Sequence, residues 1–87
     1  MHEQALMDDL MRKLESAAAA EGARRVTRIR VRLGALSHFS PEHFREHFED
    51  AARGTIAEGA TVEATSEHDP TEPGAQSVLL ESVDVEL

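Results

Sequence analysis

Three features of the sequence predict an α+β fold, with two helices packed on one face of a three-stranded mixed β-sheet in the order α-β-α-β-β. Arg28-Ile29-Arg30-Val31-Arg32-Leu33 alternates charged and apolar residues with the period of a half-buried strand. Two longer stretches, from Glu3 to about Ala20 and from Ser37 to Gly54, repeat their apolar residues at helical spacing. Two more strand-like segments follow, 60–66 and 77–87, separated by the Pro- and Gly-containing loop 67–76. A strand–helix–strand unit normally makes parallel neighbours through a right-handed crossover. The last strand then returns antiparallel over the loop, and both helices cover one face of the sheet.

The first helix carries Leu6, Leu10, Leu14 and Ala17 as its expected core stripe, with Met7 and Met11 beside it. Asp8, Asp9, Arg12 and Glu15 mostly take the other side, and Gly22 is the natural stop. The strand that follows ends at Gly34 and has one apolar and one basic face. Its arginines suit pairing with Glu63, Asp84 and Glu86 on the other strands better than phosphate binding. In the second helix Ser40 is the expected N-cap, Pro41 fits the first turn and Glu42 suits the positive dipole end. Phe44 and Phe48 face the core, and Arg53 and Gly54 mark the end. In the last strand Val78 and Leu80 have the opposite parity to Val83, Val85 and Leu87, which predicts a bulge or twist between them.

The 87 residues fit a single domain, 1–87. Leu, Ile, Val and Phe make up only about a fifth of the chain, so the core is thin and rich in Ala. A net charge of −8 argues against a nucleic-acid surface. There is no Cys, hence no disulfide, thiolate metal site or thiol nucleophile. No apolar run suits a signal peptide or a membrane span, so a cytoplasmic protein is expected.

Chemistry has to come from His2, His38, His43, His47 and His68 or from the acidic residues. His43-Phe44-Arg45-Glu46-His47 matches the H-x-x-E-H zinc signature, which would give a small metallohydrolase with Glu46 as base. Such an enzyme also needs a third ligand and a deep cleft, and solvated helix residues are the better expectation. His68-Asp69 belongs to the loop and Asp8-Asp9 to an exposed helix face. No nucleophile has a base beside it, and no Gly-rich phosphate loop follows a strand.

The chain starts Met1-His2-Glu3. His2 is too bulky for usual removal of the initiator, so the free amine belongs to Met1. That amine and the His2 amide nitrogen close one chelate ring with a metal, and the His2 amide and imidazole close another. The next amide, or the Glu3 carboxylate, completes the set. A plane of nitrogen donors suits Ni(II) or Cu(II) rather than Zn(II), and binding weakens in acid because the ligands must shed protons.

Four stretches, MHEQAL, RRVTRIRVRLGALS, SPEHFREHFEDAARGTIAEGA and SVLLESVDVE, together resemble the HypA/HybF family. The M-H-E start with a strand ending L-G-A-L-S and a later G-T-x-x-E-G-A is a specific combination. The resemblance implies a nickel metallochaperone, not an enzyme, for maturation of nickel–iron hydrogenases and sometimes urease. It carries the nickel ligands onto Met1, His2 and Glu3. It implies the hydrogenase large subunit and a HypB-type GTPase as partners, with docking through the N-terminal helix region. The family inserts a zinc module with two C-x-x-C pairs between its second and last strands. Here EHDPTEPGAQ, residues 67–76, stands in that place, so no zinc is expected. A competing expectation is a metal-independent interaction module that keeps the scaffold and docks to maturation partners.

Overall fold

In the computed structural model the elements are α1 (His2–Ala20), β1 (Arg25–Leu33), α2 (Pro41–Ala52), β2 (Thr61–Ser66) and β3 (Val78–Glu86). The structure describes residues 2–35, 37, 39–71, 75 and 77–87, except for the side chains of His2 and Glu3. The Met1 amine, His38 and much of the second half of the 67–76 loop therefore lie outside the described residues.

The sheet order is β2-β1-β3. β1 runs parallel to β2 and antiparallel to β3, as the element order predicts. The register sets Ile29 between Val62 and Val83, and Val31 between Ala64 and Leu80. The β1–β3 ladder slips between Arg30 and Val31, which leaves Glu81 as the extra residue on β3. This is the bulge that the broken parity predicted, and it returns Val78 and Leu80 to the covered face. A second irregularity, at Thr27, was not legible in the sequence.

Both helices cover the apolar face of the sheet. Met7, Leu10, Leu14 and Ala18 of α1 meet Val26, Ile29, Val31 and Leu33 of β1 and Phe44, Phe48 and Ala52 of α2 in one core cluster. The stripe of α1 is thus displaced by a residue at each end from the expected one. Met7 and Ala18 are buried, whereas Leu6 and Ala17 are half-buried on its flank. Residues adjacent in a helix differ by about 100°, so Leu6 and Met7 both border the stripe, and α2 on one side decides which goes under.

The other face of the sheet is charged and open. Arg28 and Arg30 both reach Glu63, at 3.2 and 3.1 Å, and Arg32 lies between Glu67 and Glu81. Arg24 and Arg25 flank Glu86, and Asp84 stands opposite Arg28 in the ladder. The basic stripe of β1 is neutralised by its neighbours, in line with the pairing reading.

The termini of the helices explain their lengths. At the end of α1, Gly22 adopts φ 66° and its amide bonds Ala19 O, while Ala23 N bonds Ala18 O. These two bonds form a Schellman motif, which needs a left-handed residue where Gly is least strained. Ser40 caps α2, its hydroxyl accepting from His43 N at 3.1 Å. Phe39, just before the cap, sets its ring edge against Phe44 at 5.6 Å, a hydrophobic staple.

After α2 the chain makes a compact turn over 53–60. Thr55 Oγ1 donates to Ala52 O at 2.7 Å and accepts from Ala57 N at 3.1 Å. Gly54 N donates to Glu58 Oε1, and Val26 N donates to Ile56 O, which ties the turn to the start of β1. Ala57 is as fully buried as Phe44. The G-T-x-x-E-G-A motif is thus a structural turn that seals the core below α2.

Candidate metal-binding end

Chain direction brings the residues singled out by sequence to one end of the molecule. The tight Glu21–Arg24 connection turns α1 antiparallel to β1, and the crossover between parallel strands does the same for α2. Both helix N-termini therefore lie at the end where β1 and β2 finish. Glu67 N bonds Leu33 O and Gly34 N bonds Ser77 O there. At the far end Arg24 N bonds Glu86 O, and Ala17, Ala20 and Glu21 line a groove with Val83 and Val85.

At the first end, α1 is already helical at His2. The amides of His2 and Glu3 belong to the first turn of α1, whose N–H groups have no intrahelical acceptor. They are therefore not committed to the helix ladder. The position of α1 is held from Met7 onward by its buried stripe. Gln4 Nε2 donates to Asp8 Oδ1 at 2.8 Å along the exposed side. One turn on, the Lys13 ammonium lies 2.9 Å from Asp9 and, with Arg12, holds its carboxyl below the usual range.

α2 begins at the same end and presents His43 and His47 on adjacent turns. Their ring centroids are 4.5 Å apart with the planes at 72°. Phe39 touches both, at 5.5 and 6.0 Å. Both imidazoles are half-buried and Glu46 is exposed. The H-x-x-E-H stretch thus brings its two histidines together. Among the described residues no group of three or more His, Cys, Asp or Glu side chains is placed to hold a metal.

The loop entered from β2 closes on itself. Glu67 Oε1 accepts from the amides of His68 and Asp69, and Asp69 Oδ1 accepts from the amide and hydroxyl of Thr71. The Thr71 hydroxyl and amide together hold the Asp69 carboxyl below its ordinary range. His68 and Asp69 are exposed, as expected of loop residues. A tetrahedral thiolate zinc site, of the kind two C-x-x-C pairs make, has no ligands in this chain.

Sequence reasoning missed Phe39, the ring that backs the histidine pair. Its signal was present, because an apolar residue just before a Ser cap commonly packs on the fourth helical position, here Phe44.

By sequence the chain falls in a class of proteins described as nickel metallochaperones. The family model described as hydrogenase/urease nickel incorporation, metallochaperone HypA matches residues 1–71. The chain is 43% identical over 63 residues to the hydrogenase maturation factor HypA of Methylocella silvestris, covering 72% of this chain and 56% of that protein. It is 39% identical over 67 residues to that of Archaeoglobus fulgidus, covering 77% and 61%. Against the Xanthobacter autotrophicus factor it is 39% identical over 62 residues, covering 71% and 55%. The chain belongs to the HypA family, whose description names a metallochaperone and not a catalyst. It spans somewhat over half the length of the relatives it matches. The family match stops at residue 71, so the place of β3 rests on its pairing with β1.

Proposed function

We propose that the protein carries Ni(II) as cargo for the maturation of nickel–iron hydrogenase, binding it through Met1, His2 and Glu3. The observation that supports this reading is the position of His2 and Glu3 at the head of α1, with Met1-His2-Glu3 inside the family match. The donors are the Met1 amine, the His2 amide and imidazole, and the Glu3 amide or carboxylate. Deprotonating amides of the first helical turn breaks no helix hydrogen bond, since those amides have no intrahelical acceptor. A cation alone is disfavoured at the positive end of a helix dipole. Ionised amide ligands and the Glu3 carboxylate offset that charge, and the planar nitrogen set selects Ni(II) over Zn(II).

In this reading residues 1–87 form a single domain, and 67–76 stands where family members carry the zinc module. The protein works in the cytoplasm and needs no zinc of its own. Among the described residues no helix is long and apolar enough to cross a membrane. The partners are the hydrogenase large subunit, which receives the ion, and a HypB-type GTPase that docks near α1. The relatives' name, hydrogenase maturation factor, supports that assignment.

A nickel titration tests the site. The native chain binds about one Ni(II) by a planar, diamagnetic, yellowish chelate. His2→Ala, and separately one extra residue ahead of Met1, abolish that complex. Unchanged affinity and colour in both variants would refute the N-terminal chelate. Partner capture that is equal with and without His2, alongside weak nickel binding, would instead establish the metal-independent module.

A further inference from the structure

The histidine pair of α2 is left unused by the N-terminal chelate, and its geometry matches a second site. A metal–imidazole bond is ~2.0–2.1 Å, and the nitrogen lies ~1.1 Å from the ring centre, so each centroid would stand about 3.2 Å from a shared ion. Two rings bound at the right angle of a square-planar or octahedral ion have centroids about 4.5 Å apart, and at the tetrahedral angle of Zn(II) about 5.2 Å. The centroids of His43 and His47 are 4.5 Å apart.

Three features prepare the pair. Residues four apart on a helix are neighbours only if the turn between them is formed, and the Ser40 cap with Pro41 forms it. The buried Phe39 ring touches both imidazoles and restricts their freedom. Glu42, Glu46, Glu49 and Asp50 on the same helix outnumber Arg45 and Arg53, so the local field offsets the helix dipole and favours a cation. Asp50 is itself engaged with Arg53 at 3.0 Å.

We propose that His43 and His47 form a second binding site for a nitrogen-preferring divalent transition ion, Ni(II), Cu(II) or Zn(II). Among the described residues no third His, Cys, Asp or Glu side chain joins the pair. Two protein ligands make an exchangeable holding site rather than a structural one. Its place, at the end of the molecule where α1 starts, suits an ion that arrives before it is passed on.

The inference does not rest on the N-terminal chelate, and the experiment separates the two. The background is the full chain with His2→Ala and one residue added before Met1. This background, titrated by calorimetry with NiCl2 and then CuCl2, binds one ion, Cu(II) more tightly than Ni(II). Adding His43→Gln or His47→Gln weakens either ion by about tenfold or more, because the second imidazole binds intramolecularly. Far-UV circular dichroism checks that the variants stay folded. Paramagnetic broadening by Cu(II) in amide NMR spectra of the background needs no further variant, and it is expected first around residues 43–47. No binding by the background, equal binding by the Gln variants, or broadening centred elsewhere would overturn the proposal.

Discussion

Replacing Thr55 by Val keeps the size of the side chain but removes both hydroxyl bonds that hold the turn after α2. The hydroxyl donates to Ala52 O at 2.7 Å and accepts from Ala57 N at 3.1 Å. Ala52 O keeps the bond from Thr55 N, so loss there costs only ~0.5–1.5 kcal/mol. The Ala57 amide, beside a fully buried side chain, loses its acceptor, and such a group costs ~1–3 kcal/mol. The expected destabilisation is about 2 kcal/mol. For a domain of this size that lowers the thermal midpoint by roughly 8–16 °C. With a urea dependence near the low end of ~1–3 kcal/mol per molar, the urea midpoint falls by about 1–2 M. Thr55→Ser retains the hydroxyl and serves as the control, and far-UV circular dichroism is the readout because the chain has no Trp or Tyr. The nickel binding proposed at the head of α1 is expected to be unchanged below the midpoint, since the turn lies at the end of the molecule where α1, a helix about 28 Å long, finishes. A Val variant as stable as the Ser variant would refute the hydroxyl account. A Val variant that is folded but loses nickel would refute the separation of the turn from the metal site.

Two further effects follow from packing and charge. Leu14 is fully buried between the sheet and α2, so Leu14→Ala is expected to cost ~3–5 kcal/mol in chemical denaturation, a large share of a small domain's stability; a loss under ~1 kcal/mol would mean that α1 is not seated as described. The carboxyl of Asp9 is depressed by its bond to Lys13 and by Arg12, so its contribution is present above the ordinary value of 3.8 and is lost as the pH falls through the lower folded value. Carboxyl NMR titration should find the Asp9 midpoint below 3.8 and Lys13→Gln should return it towards that value; a native midpoint at or above 3.8 would contradict the pairing.

Much of the fold was legible because one face of every element is apolar. The period of β1, the Ser40 cap and the Gly22 stop depend on neighbouring residues only, and all three stand as expected. The parity break in β3 was readable too, since a strand that changes face without a bulge would expose half of its apolar residues. Ala57 and Phe39 escaped notice because an Ala in a turn and a Phe before a cap carry no periodic signal. Both are buried once the core is assembled around them. The shift of the α1 stripe from Leu6 to Met7 has the same origin, since the flank that is covered depends on where α2 lies.

For the site, Met1, His2 and Glu3 were singled out by donor chemistry and by resemblance, and α1 begins at His2, so the amides of His2 and Glu3 fall in its first turn, outside the helix ladder. His43 and His47 were visible as a spaced pair, but their separation and the Phe39 ring behind them were not. The sequence by itself determined the element order, the caps, the alternation of β1 and the absence of thiolate ligands, because each depends on local backbone chemistry or on composition alone. Only the tertiary structure decided that both helix starts and the end of β2 share one end of the molecule. Only there did the arginine stripe find its carboxylates and the G-T-x-x-E-G-A motif prove to be a seal on the core. Those outcomes depend on strand direction and register, which arise when separate segments bury a common apolar face.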